Sequence, residues 1–116
     1  MSDARATGQR AERQAARWLS EQGLRALDHN YHCRAGELDL IMLDGDTLVF
    51  VEVRYRRSAR FGDAAESVTP AKQRKLLSAA RHYLQYHDEH AARALRFDVI
   101  AMTGERMEWI KNAFGA

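Results

Sequence analysis

Two runs of alternating apolar and polar residues, Glu37 to Leu43 and Leu48 to Tyr55, flank the segment Asp44-Gly45-Asp46-Thr47, and this pattern restricts the fold more than any other stretch of the 116-residue chain. An Asp-Gly pair between two strands of period two is a hairpin signal, because glycine supplies the positive φ that tight turns require. The turn also sets the register. With an even number of residues in the connection, the face carrying Glu37, Asp39, Ile41 and Leu43 coincides with the face carrying Leu48, Phe50, Glu52 and Arg54. Asp39 then lies opposite or diagonal to Glu52, about 5–8 Å away at Cβ. An odd connection with a bulge would put the two on opposite faces.

The rest of the chain supplies what the hairpin packs against. After Thr7-Gly8, the residues Ala11, Ala15, Trp18 and Leu19 recur at helical spacing and predict a helix over roughly Gln9 to Gln22, stopped by Gly23. Leu24 to Leu27 reads as a short strand. Beyond the hairpin, a polar loop from Arg57 to Val68 leads to Thr69-Pro70, an N-cap followed by a proline at the first helical position. The helix that follows, to about His90, presents Leu76, Leu77, Ala80, Tyr83 and Leu84 on one side. Phe97 to Met102 reads as a strand, and Thr103-Gly104-Glu105-Arg106 turns into a short last one, Met107 to Ile110. The order is α-β-β-β-α-β-β. A strand, a long helix and a further strand form a crossover unit, which predicts an α/β fold with a mixed sheet of about five strands. In it, Phe97 to Met102 runs parallel to one hairpin strand. There is no repeat and no linker-like run, so residues 1–116 are expected to form a single domain. The lone Cys33 excludes an internal disulfide, and Met1 to Arg17 holds no apolar stretch suited to a signal peptide or membrane span, which together predict a cytoplasmic protein with no membrane partner.

A net charge of +2 hides a strong polarity along the chain. Between Arg54 and Arg81 the basic residues Arg54, Arg56, Arg57, Arg60, Lys72, Arg74, Lys75 and Arg81 face only Asp63 and Glu66, a local balance of +6, while the remainder sums to −4. Fifteen of the 18 basic residues are arginine, whose planar fork matches a phosphate in two-point contact. A polyanion is the expected partner; a solvated Arg-rich surface is the alternative.

Several polar residues fall on faces that the apolar pattern assigns to the core. Asp39 and Glu52, held close beside Ile41, Leu43, Leu48 and Phe50, would repel each other and lose solvation unless something compensates. A divalent cation does so, because Mg²⁺ prefers one or two carboxylates plus waters and phosphate oxygens. Pairing of Glu52 with Arg54 or Arg56 is the purely structural alternative. Glu12 lies inside the apolar arc of the first helix, Gln73 in the middle of the second helix's arc, and Lys72 at its edge, in a first turn whose free N–H groups favour an anion. Taken singly, each is ordinary for a satisfied core polar group; together they predict one shared site. The group His29, His32 and Cys33 lacks a partner motif that would make it a zinc site. His82, His87 and His90 are expected at the surface. Trp109, Ile110 and Phe114 either supply a subunit interface or cap the core.

Gly36-Glu37-Leu38-Asp39-Leu40-Ile41, Leu48-Val49-Phe50-Val51-Glu52-Val53-Arg54, Phe61-Gly62, Arg96-Phe97-Asp98-Val99-Ile100 and Asn112-Ala113-Phe114 together resemble the YraN family of bacterial proteins, over about Gly8 to Phe114. That resemblance implies a restriction-endonuclease-like three-layer fold of the PD-(D/E)xK nuclease class, similar to archaeal Holliday junction resolvases. It maps the acidic strand residue to Asp39, the Glu-x-Lys pattern to Glu52 and position 54, the helical glutamate to Glu12, and the following helix residues to Lys72 and Gln73. The implied activity is a Mg²⁺- or Mn²⁺-dependent endonuclease acting on DNA, including branched DNA, and the implied assembly is a homodimer. Asp39 and Glu52, with the Val53 carbonyl, would hold the metal; Glu12 would orient water, Arg54 and Lys72 would contact the phosphate, and Gln73 would position a water or backbone group. Arg56, Arg57 and Arg60, with Arg74 and Lys75, would bind flanking phosphates without reading sequence. The departure is Arg54 in place of the class's lysine. A guanidinium stays protonated and cannot act as a general base, which leaves two alternatives: a nucleic-acid-binding protein that does not cut, or a non-enzymatic interaction module.

Overall fold

The computed structural model describes residues 4–58 and 64–115. Helix α1 spans Ala4–Glu21, strand β1 Arg25–Cys33, β2 Gly36–Asp44, β3 Thr47–Arg56, helix α2 Pro70–Gln85, β4 Leu95–Thr103 and β5 Arg106–Phe114, with short 3-10 turns at Ala65–Ser67 and Asp88–His90. The five strands form one sheet in sequence order. Its β1/β2, β2/β3 and β4/β5 pairs are antiparallel, and β3/β4 is parallel, the crossover through α2 that the element order predicts.

The helices cover opposite faces. Ala11, Ala15 and Leu19 of α1 pack on Leu40, Met42, Val49, Val51, Ile100 and Met102. Leu76, Ala79, Ala80 and Tyr83 of α2 pack on Ile41, Leu43, Leu48, Phe50 and Phe97. The result is the three-layer α/β/α arrangement of the restriction-endonuclease-like fold. Both faces of the central strands are therefore apolar, which is why β3 reads as a nearly continuous hydrophobic run. Thr69 caps α2 by accepting a hydrogen bond from the Lys72 N–H at 3.2 Å.

The boundaries differ from the sequence expectation at the sheet edges and the helix ends. β1 runs from Arg25 to Cys33, well beyond Leu27, because its residues Asp28 to His32 gain a ladder with β2 while keeping their polar side chains wet. β5 extends to Phe114 rather than Ile110 for the same reason, an edge strand having one free side. α1 begins at Ala4, before Gln9. α2 ends at Gln85, not His90: His87 Nδ1 donates to the Tyr83 carbonyl at 2.7 Å and its ring stacks on Tyr83, so a side chain satisfies the final turn. The histidines correct a second expectation. His90 is buried and accepts from Arg93 Nε at 2.9 Å, and His82, hydrogen-bonded to the Tyr31 hydroxyl, is half-buried, as is His87. Trp109, Ile110 and Phe114 are half-buried against the core, with Trp109 edge-on to Trp18 and Phe114 stacked on Phe97. Among the described residues no helix is long and apolar enough to cross a membrane.

Candidate active site

The β2–β3 turn holds two residues between the paired Asp44 and Thr47, and the ladder then runs without a slip to Leu40↔Val51. The next rung would be Asp39 with Glu52. It does not form, because β2 turns over at this point: Leu40 and Met42 pack in the α1 layer, whereas Leu38, which alternation would place beside them, packs in the α2 layer. On the far side, β1 carries its own irregularity, with Asn30 at φ 50° between the pairs His29↔Leu40 and Tyr31↔Leu38. The two strands of the hairpin splay here, and Asp39 fills the place of the lost rung, Oδ2 accepting from the Val53 N–H at 2.9 Å.

Glu52 sits under this splay with only 4% of its surface exposed. Its Oε2 lies 3.3 Å from Arg54 and 3.7 Å from Lys72 Nζ. Burial, and after it the charge and hydrogen bond of the neighbouring Asp39, push its carboxyl up to about 8, against the smaller opposing pull of Lys72 and Arg54. Glu52 therefore favours its protonated form beside Asp39. Glu12 approaches from α1, half-buried; burial raises its pKa first, and Asp39 and Glu37 add to the effect, while His29 and a hydrogen bond with Asn30 oppose it. The site therefore draws on both helices and on both splayed strands.

Arg54 is braced rather than free: Nε donates to Ser67 Oγ at 2.8 Å, and Ser67 in turn donates to the Ala64 carbonyl at 2.6 Å. Gln73 donates to the Val68 carbonyl at 3.1 Å, so it holds the loop that carries Ser67. Of the residues singled out in the sequence, Glu12, Asp39, Glu52, Arg54 and Lys72 converge, and Gln73 acts one step away through Val68. Arg56 and Arg57 are exposed at the end of β3, and Arg74 and Lys75 are exposed on α2, in the opposite layer from α1. Arg60, with Phe61 and Gly62, lies outside the described residues. Sequence reasoning missed Asn30 and Ser67. Neither is in a periodic pattern; the nearest signal for Asn30 is its tolerance of positive φ. His29, His32 and Cys33 do not converge on a metal site, and His32 instead faces Glu37 at 3.2 Å on the surface.

The donor set fits a hard divalent cation. Among the described residues no three His, Cys, Asp or Glu side chains surround one point. Two carboxylates and nearby backbone oxygen, with the shell completed by waters and substrate, is the pattern Mg²⁺ favours.

The uncharacterised protein family UPF0102 matches residues 11–102. The chain belongs to the UPF0102 family. UPF0102 proteins similar to it include one from Stutzerimonas stutzeri, 52% identical over 98% of both chains, and one from Nitrosomonas eutropha, 56% identical over 98% of this chain and 97% of the relative. Another, from Klebsiella pneumoniae, is 56% identical over 94% of this chain and 86% of the relative. The UPF0102 match spans Glu12, both splayed strands and α2, so all six converging or bracing residues lie inside it.

Proposed function

We propose that this UPF0102 protein is a metal-dependent phosphodiesterase that cuts nucleic acid at the Asp39–Glu52 splay. The observation that carries the reading is the condition of Glu52: buried, beside a second carboxylate, and pushed up to about 8 because two nearby cations at 3.3 and 3.7 Å do not offset its environment. A dry carboxylate pair of this kind is costly unless paired or metal-linked. A bound Mg²⁺ or Mn²⁺ would neutralise the scissile phosphate and make a water acidic enough to attack it in line.

The chain's own residues divide the remaining work. Asp39, fixed by the Val53 N–H, and Glu52 would hold the cation. Glu12 orients water and, with its raised pKa, is suited to exchange a proton. Arg54, braced on Ser67, holds a phosphate oxygen and stabilises charge developing there. Lys72 brings a titratable ammonium to Glu52, a role that the permanently charged Arg54 cannot fill.

The test is cleavage with Mn²⁺ of labelled four-way junction, flap, single-stranded and duplex DNA, beside EDTA and Asp39→Asn. Cutting that disappears in both controls is the expected result, and cutting that survives Asp39→Asn overturns the reading. A second reading, binding without cutting, is favoured by the engagement of Arg54 with Ser67 and Glu52. It predicts binding by Asp39→Asn with no cleavage by the wild type, and new activity in Arg54→Lys.

A further inference from the structure

We propose that the cleft between the N-terminal turns of α1 and the end of β3 holds a single-stranded stretch of nucleic acid, its phosphates on Arg10, Arg57 and Arg106 and a base on Tyr55. The inference rests on the nuclease reading and names the form of substrate that reaches the carboxylates. The cleft encloses about 1220 Å³, with Arg10, Glu12, Val53, Tyr55, Arg57 and Arg106 among its lining. That exceeds the usual few hundred to roughly 1,000 Å³ of a small-molecule site. It is continuous with the candidate active site, since Glu12 belongs to both and Val53 is the residue whose N–H Asp39 holds.

Arg57 and Arg106 stay unpaired, as Arg56, Arg74 and Arg81 also do among the described residues, whereas three arginines are taken up in ion pairs. Arg96 spans Asp44 and Asp98, Arg93 reaches Asp46 at 3.7 Å, and Arg54 meets Glu52. Among the described residues Arg57 and Arg106 form no ion pair or side-chain hydrogen bond, and Arg10 bonds only the Thr7 hydroxyl at 3.1 Å. The lining sets five arginines against Glu12 and Glu105, and a concavity with this excess of positive charge attracts a phosphate chain. The rim is fixed: the Gly104 N–H donates to the Arg56 carbonyl at 2.8 Å, and a Cβ at Gly104 would stand 3.3 Å from the Arg57 carbonyl oxygen. This close approach holds the β4–β5 turn, and Arg106 with it, against the residue that carries Arg57.

Tyr55 decides the form of the strand. It lies two residues past Val53, which packs in the α1 layer, and 42% of its surface is exposed. Bases paired inside a duplex offer no free face to such a ring, whereas an unpaired base stacks on it. Tyr55, near the end of β3, and Arg57, the first residue past it, both line the cleft.

The experiment is fluorescence anisotropy in EDTA with labelled oligothymidine and a duplex of equal length, using wild type, Arg10→Ala with Arg57→Ala, Arg57→Glu, Tyr55→Ala and Tyr55→Phe. The unfolding midpoint of each variant is measured alongside. Wild type is expected to prefer the single strand. The double arginine variant should flatten the slope of log affinity against log salt by about 1.4. Tyr55→Ala should weaken binding by about fivefold to 150-fold, and Tyr55→Phe should restore it. Equal or tighter duplex binding overturns the single-strand assignment, and unchanged binding by folded Arg57→Glu overturns the cleft. Absence of all binding by wild type instead removes the nuclease reading beneath both.

Discussion

Glu52 on β3 and Asp98 on β4 are buried carboxylates one rung apart, on opposite faces of the same parallel pair, and their surroundings differ sharply. Asp98, fully buried, accepts from Arg96 Nε at 2.9 Å, Arg96 Nη2 at 3.0 Å, Trp109 Nε1 at 2.9 Å and the Asn112 N–H at 2.9 Å. The hydrogen bonds it accepts push the Arg96 guanidinium up in return. They also pin Asn112 at φ 52°, where β5 bulges away from β4 between Phe97 and Val99. Glu52 has two longer cation contacts and a second carboxylate for a neighbour. Burial of a charge is therefore no sign of chemistry by itself; the discriminating property is how completely the charge is matched. Asp98 is a joint between β4 and β5, whereas Glu52 is left incompletely matched at the β2–β3 splay.

The largest expected effect tests the joint. Asp98→Ala leaves the Arg96 guanidinium with Asp44 alone, and an indole N–H and a strained backbone N–H without an acceptor, and should cost about 3–5 kcal/mol in a urea titration. A loss below about 1 kcal/mol would break the contrast. Next in size is metal linkage at the splay. Mn²⁺ at 100 times its dissociation constant should add about 2.7 kcal/mol to wild type at pH 8 and nothing to Asp39→Asn, read as the shift in thermal midpoint. Because the cation must displace a proton from Glu52, whose carboxyl is pushed up to about 8, its affinity should rise with pH up to that point.

Glu52→Gln should act in the opposite direction from Asp98→Ala. A carboxyl raised in the folded state binds its proton more tightly there than in the unfolded chain. Its contribution to stability is then fully present below about 4.5, the ordinary carboxyl value, and is lost as pH rises through about 8. The wild-type minus Glu52→Gln difference should follow that course, with the variant the more stable by about 1–3 kcal/mol at pH 8 without metal. Destabilisation by Glu52→Gln at that pH would make it a second joint. The smallest effect belongs to the cap: Thr69→Ala should cost about 1 kcal/mol, because the Lys72 N–H loses its Oγ acceptor while the Gln73 N–H keeps the Thr69 main-chain carbonyl.

The hairpin and the crossover were legible because each depends on neighbours in sequence. The Asp-Gly turn and the alternation on either side were enough to set the register as far as Leu40↔Val51, and Thr69-Pro70 was enough to start α2; the turnover of β2 that carries Asp39 out of its rung was not legible. The edge strands were not. Asp28 to His32 and Arg106 to Asn112 carry polar side chains on a surface that water reaches, so their period-two signal is diluted, and their strand character comes from the ladder with β2 or β4. The histidines misled for a related reason: Tyr31, which packs with His82, His87 and Tyr83, comes from a strand about fifty residues earlier.

By itself the sequence determined the register of the hairpin and the place of the helices, both of which follow from turn length and periodicity. Only the tertiary structure decided which buried charge is satisfied. Asp98 finds Trp109 and Asn112 across the β4–β5 pair, whereas Glu52 finds Asp39 across a splay opened by Asn30 and by the turnover of β2, and Lys72 from another layer. The physical reason is that hydrogen bonding and desolvation act over a few ångströms in space, and the partners that set them for Glu52 come from β1, β2 and α2 as well as its own strand.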